Sequence, residues 1–217
     1  MDSIHPTLSK KPNQLSNGKQ TDSDEKAVAA RSSSADHTYT DLELLEIFQD
    51  PDRRHYAFNL IVRKHQQKIY YHVRRIVIDH DDANDVVQNT FIKAWNGLDH
   101  FKGQSQLYTW LYRIATNESL NHLRKKRTSF FLPLVNVEKQ LSESLHEDPL
   151  LSADQLQLKL QKAILTLPER QRVVFNMRYY DEMKYEEMAE ILGVTTGALK
   201  ASYHHAVRKI EKYITGN

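Results

Sequence analysis

The chain contains no cysteine. That excludes a disulfide framework, a thiolate nucleophile and cysteine-ligated zinc. Glycine and proline are scarce, with six of each in 217 residues, and no alternating strand-like run stands out. Both shortages favour helices. No apolar stretch is long enough to span a bilayer. The N-terminal MDSIHPTLSKKPNQ lacks an apolar signal core, so a cytoplasmic chain that is not membrane-inserted is expected. Net charge is also small: 30 basic and 28 acidic side chains leave a formal +2. Total charge therefore points to no partner, and only its distribution can. A Walker loop, a His/Cys metal cluster and a paired-carboxylate signature are missing too. No catalytic residue, metal, cofactor or small-molecule substrate is expected. The run DHDD, Asp79 to Asp82, comes nearest to a magnesium set. It reads better as the solvated start of a helix, where the dipole favours acids.

Residues 1–37 are rich in Ser, Asp, Lys, Asn and Gln, with almost no large apolar groups. They cannot bury enough surface to offset chain entropy, so a disordered tail is expected. Order begins at Thr40. Thr40 and Glu43 form a T-x-x-E capping box ahead of Leu42, Leu44, Leu45, Ile47 and Phe48. Pro51 punctuates the next helix start. Apolar residues then recur at helical spacing from Phe58 to Val77, and again from Ala83 to Leu98 after the break at DHDD. The second of these helices shows Asp85, Gln88, Asn89 and Lys93 on its other side. From Thr128 to about Ala153 the pattern dissolves into an acidic stretch with Pro133 and Pro149. It is longer than an ordinary loop and marks a domain boundary. The remainder is helical. The expected organisation is a tail over 1–37, a helical domain over 38–127, a linker over 128–153 and a second helical domain over 154–217. The fold class is all-α, two small helical domains joined by a flexible linker.

Two stretches carry chemistry. In KGQSQLYTWLYRIATNESLNHLRKKR, Leu107, Leu111, Ile114 and Ala115 share one helix face, and that apolar stripe stops at about Asn117. Beside it, Trp110, Arg113, Asn117, Asn121 and Arg124 fall within an arc of about 80°. An aromatic ring, amides and guanidinium groups suit base stacking, base-edge hydrogen bonding and phosphate neutralisation. The polar loop before the helix, Lys102, Gly103, Gln104 and Ser105, suits close approach to a backbone. The run after it, Arg124 to Arg127 with Lys125 and Lys126, suits phosphates. Taken alone, a Trp beside Leu more often belongs to a core, and a terminal basic run more often complements a helix dipole.

The second stretch is ILGVTTGALKASYHHAVRKI. Gly193 is placed as a left-handed cap, Thr195 can cap the next helix, and Leu199, Tyr203, Ala206 and Ile210 form an inward stripe. Ala189 lies four residues before the glycine and Leu199 six after it, which is helix-turn-helix spacing. Thr196, Lys200, Ala201, His204 and Arg208 occupy the outer face of the second helix. The first helix is acidic and the last basic, so positive charge sits on the element that would enter a major groove. His204 and His205 point about 100° apart and do not chelate well.

Together these stretches resemble the sigma-70 family, in particular its compact extracytoplasmic-function group. DANDVVQNTFIKAWNGLDHFKGQSQLYTWLYRIATNESLNHLRKKR resembles the family's second conserved region, and LPERQRVVFNMRYYDEMKYEEMAEILGVTTGALKASYHHAVRKI its fourth. The resemblance implies a promoter-specificity factor for core RNA polymerase. It implies clamp-helix contacts on the largest subunit through Asp85, Gln88, Asn89 and Lys93, and a contact of the second domain with the flap of the second-largest subunit. It further implies minus-10 contacts through the loop and strip named above and minus-35 contacts through Thr196, Lys200, Ala201, His204 and Arg208. Promoter DNA and an anti-sigma factor are the other partners it implies. Three positions depart from the family pattern. Asn89 replaces a frequent acid, Ala201 a frequent serine, and Lys184 a frequent Ser or Thr cap, which weakens that helix start by ~1 kcal/mol unless something else caps it. A stand-alone helix-turn-helix regulator remains the alternative, although neither a dimerisation element nor an effector pocket is visible.

Overall fold

The computed structural model describes residues 39–129 and 155–216. The expected tail and nearly all of the expected linker lie outside the described residues. Eight α-helices are found among them, and no strand. They are α1 (Asp41–Phe48), α2 (Arg54–Val77), α3 (His80–Gly97), α4 (Leu107–Ser129), α5 (Gln155–Leu165), α6 (Glu169–Tyr179), α7 (Tyr185–Leu192) and α8 (Thr196–Thr215). A short 3₁₀ turn, Leu98–His100, follows α3.

The capping box at Thr40 forms. Glu43 N–H donates to Thr40 Oγ1 at 3.3 Å, and Thr40 N–H donates to Glu43 Oε2 at 2.7 Å. Leu44 and Phe48 are buried from α1. Phe48 meets Trp95 edge-on at 5.6 Å between centroids, while His55 stacks on the same indole at 4.7 Å. Arg54 lies over the Phe48 ring and pairs with Asp99 at 2.6 Å. These contacts pin α1 to the bundle of α2, α3 and α4. Between α2 and α3 the chain turns within two residues. Ile78 takes a left-handed φ of 70°, strained for a β-branched residue, and stays buried. Asp79 then accepts a hydrogen bond from Asp82 N–H at 2.9 Å, so this first acid of DHDD serves as a helix cap.

In α4 the buried face extends past the expected end of its stripe. Leu107, Leu111 and Ala115 are buried, and so are Thr109, Tyr112, Thr116, Ser119 and Leu123. Glu118 and His122, where the apolar stripe would have continued, are only half-buried; beyond Asn117 burial passes to a neighbouring line through Ser119 and Leu123. The buried hydroxyls bond within the helix, Thr116 Oγ1 donating to Tyr112 O at 2.8 Å and Ser119 Oγ to Ala115 O at 2.8 Å.

The C-terminal helices build a second core of Ala163, Ile164, Leu167, Phe175, Ala206 and Ile210. Helix α8 packs against α5, α6 and α7. Gly193 caps α7 at φ 65°, and Thr195 caps α8 by accepting from Ala198 N–H at 3.2 Å. At the weak start of α7, Glu187 Oε2 accepts from Lys184 N–H at 2.9 Å. That supplies half of a capping box. The other half is missing because an ammonium has no acceptor. The two groups of helices pack on each other, α7 against α4 and α6 against α2, within one compact unit from Thr40 to Asn217.

Candidate nucleic-acid interface

The strip on α4 lies along the edge that its buried face leaves free. Arg113, Asn117, Arg124 and Lys125 are exposed, and Trp110, Asn121 and Lys126 are half-buried. Arg124 Nη1 donates to Asn121 Oδ1 at 3.2 Å. That bond occupies the amide oxygen and leaves the amide N–H groups as the donors to offer a base. The Trp110 ring lies 5.2 Å from the Phe101 ring. A Cβ on Gly97 would come within 3.1 Å of the indole, so one flank of Trp110 is already in use as an anchor for the loop. Lys126 Nζ is held by Asp82 Oδ2 at 2.7 Å and is not a free phosphate contact.

In the loop before α4, Lys102, Gly103 and Gln104 are exposed and Ser105 is half-buried. Gly103 has a φ of 67° with open space around it, so a side chain there is disfavoured by backbone strain and not by crowding.

On α8, Lys200, Ala201, His204 and Arg208 point outward and Thr196 is half-buried. Lys200 Nζ sits 5.7 Å above the Tyr185 ring and Arg178 lies 5.3 Å from the same ring, so α7 helps to position Lys200. Arg208 continues into a basic hollow with His205, Lys209, Lys212 and Gln171. Apart from His205 and Arg208, sequence reasoning had not picked out these neighbours. A helical wheel of α8 alone shows Lys209 and Lys212 as basic, but not that Gln171 closes the hollow from α6. His204 and His205 have ring centroids 6.1 Å apart and tilted planes.

On α3, Asp85, Gln88, Asn89 and Lys93 are all exposed, and Ile92 among them is 52% exposed. This is a polar face with one apolar residue at its centre. Lys93 leans away to pair with Glu118 at 2.6 Å. Three surfaces thus face outward: α3, the strip on α4, and α8. Among the described residues no cluster of His, Cys, Asp or Glu could hold a metal, and no helix is long and apolar enough to cross a membrane.

This arrangement is that of a helical, DNA-directed transcription factor with a helix-turn-helix module. The family model for Sigma-70 region 2 matches residues 61–129, and that for Sigma-70, region 4 matches residues 157–210. The chain is 33% identical over 180 residues to the RNA polymerase sigma-H factor of Pseudomonas aeruginosa, covering 79% of this chain and 92% of that protein. It is 34% identical over 183 residues to the ECF RNA polymerase sigma-E factor of Escherichia coli, covering 81% and 94%. Among solved structures, CnrH in complex with the cytosolic domain of CnrY superposes with a TM-score of 0.59 at 22% identity, covering 82% of this chain and 98% of that one. The sigma factor RpoE in complex with the anti-sigma factor NepR, from Bartonella quintana, gives 0.57 at 22%, covering 73% and 96%. The chain belongs to the sigma-70 family, in its extracytoplasmic-function group. It is a sigma factor, directing promoter-specific initiation of transcription.

Proposed function

We propose that this sigma factor docks on the clamp helices of core RNA polymerase through Asp85, Gln88, Asn89 and Lys93 of α3. The loop Lys102–Ser105 and the α4 strip take the minus-10 element and hold it melted. The outer face of α8, centred on Lys200, Ala201 and His204, reads the minus-35 element. The observation that carries this reading is α4 itself. One face is buried against α2 and α3 while the neighbouring strip stays open with amide donors and guanidinium groups. A single-strand platform needs that rigidity, because unpaired bases must find stacking and hydrogen-bonding groups already in place. In this role the chain is non-catalytic, acts in the cytoplasm and carries no cofactor. The domain division at 128–153 separates the polymerase-docking, minus-10 half from the minus-35 half. The flap of the second-largest subunit would receive the C-terminal half. An anti-sigma factor is the expected antagonist, as the solved sigma complexes named above suggest.

The test is Asn121→Ala. Permanganate reactivity of promoter thymines should fall at least tenfold while affinity for core polymerase is unchanged. Equal loss of both would remove Asn121 from the melting surface.

A further inference from the structure

The C-terminal end of α2 receives the turn that follows α6. Asp181, whose side chain is only 7% exposed, accepts from Arg75 Nη1 at 2.6 Å. Its other oxygen lies 2.9 Å from His72 Nδ1, and His72 has no exposed surface. A carboxylate only accepts, so Nδ1 carries the proton. His72 Nε2 is 2.9 Å from Thr116 Oγ1 on α4. Asn176 Nδ2 donates to the Arg75 carbonyl at 3.0 Å, and the Arg75 guanidinium lies 4.7 Å from the Tyr180 ring centroid. One carboxylate from the minus-35 half is therefore held by α2 and connected through His72 to the helix that carries the minus-10 strip. Removing the Arg75 guanidinium would leave the nearly buried Asp181 carboxylate to His72 alone, and removing Asp181 would leave His72 Nδ1 without its partner in the interior.

This arrangement conflicts with reading both promoter elements together. Helix α7 packs directly on α4, and α8 on α7. At 8–10 Å per packed pair, the axes of α4 and α8 are on the order of 20 Å apart. Elements centred ten and thirty-five positions upstream are separated by about 85 Å at 3.4 Å per base. Yet the face of α3 remains exposed in the closed arrangement, as do Arg113, Asn117 and Arg124.

We propose that Asp181, gripped by Arg75 and His72, is a latch that holds the free factor closed. Core polymerase meets the closed form through α3 first, and the latch opens afterwards to free the minus-35 half. The order of events rests on the α3 docking reading above; the latch itself does not.

The absence of cysteine makes the test clean. Gln66→Cys and Glu211→Cys, both on exposed positions, carry a donor and acceptor dye on the full chain. Free wild-type protein should show one high-transfer population. Asp181→Ala and Arg75→Ala should each raise the low-transfer population on the order of tenfold, with far-ultraviolet circular dichroism unchanged. The double variant should open by less than the sum of the two single effects, because both remove the Arg75–Asp181 pair. With core polymerase, wild type should pass through a bound, high-transfer species before the low-transfer one. A free wild type already in low transfer, single variants that do not open, or effects that add would each overturn the latch. A bound species in low transfer from the start would overturn the order. Failure of core to bind at all would strike the docking reading and leave the latch result standing.

Discussion

Lys126 Nζ and Asp82 Oδ2 lie 2.7 Å apart, joining the end of the cationic run on α4 to the start of α3. His122 Nε2 lies 3.2 Å from the other oxygen of the same carboxylate. The run therefore presents less positive charge to a phosphate backbone than its sequence implies. Asp82→Asn should release Lys126. The log–log salt dependence of single-strand binding should then steepen by up to about 1. A fluorescence titration at several salt concentrations checks this, and an unchanged slope would mean that Lys126 stays out of reach of the backbone.

Lys184→Ser should complete the capping box that Glu187 already half-builds. The serine hydroxyl can accept from the Glu187 N–H, which the lysine cannot do. A stabilisation of about 0.5–1 kcal/mol is expected, read as a raised melting temperature, with promoter selection unchanged. No gain would mean that the α7 start is already satisfied by solvent.

Acid should loosen α1. Burial pushes the His65 imidazole below its ordinary 6.5, more strongly than neighbouring Asp41 raises it. Burial would raise the Asp41 carboxyl, but the hydrogen bond from Lys64 and the charge and bond of His65 outweigh it and hold the group below 3.8. Both groups bind protons less readily folded than unfolded. Their contributions are present at neutral pH and are lost as pH falls, that of His65 from 6.5 downward and that of Asp41 through the carboxylate range. Emission from Trp95, followed in a Trp110→Phe background, should shift between pH 7 and pH 5 as Phe48 withdraws. His65→Phe should flatten that dependence.

Changing Lys200 and His204 to alanine should broaden the minus-35 preference and leave the minus-10 preference as it is. Each good base contact is worth about 1–3 kcal/mol of discrimination. Sequenced transcription starts from a promoter library read this directly, and an unchanged minus-35 motif would assign the reading to other side chains.

The parts legible in sequence were those whose physics is local. Thr40 with Glu43, Asp79 after the break, Gly193 and Thr195 each announce a helix end through bonds spanning three or four residues. Those caps set the helix register and thereby the outward positions of Lys200, Ala201 and His204. The extent of the α4 core was hidden because Thr116 and Ser119 look polar; bonds to their own helix, and for Thr116 one with His72 of α2, let them be buried. Trp110 was ambiguous for a related reason. Its half-burial depends on Gly97 and Phe101, which reach it only through the turn before α4. The pairing of His72 with Asp181 joins residues 109 apart in sequence, across two helical groups. No periodicity or cap in either segment marks it, because neither residue is unusual until the other arrives.

The most direct test of the central claim is runoff transcription with core polymerase on fragmented genomic DNA, with the 5′ ends sequenced. Discrete starts that require this protein and share a two-part upstream motif are the predicted result. Absence of such starts, together with tight binding of duplex DNA by the protein alone, would contradict the account and indicate a stand-alone helix-turn-helix regulator.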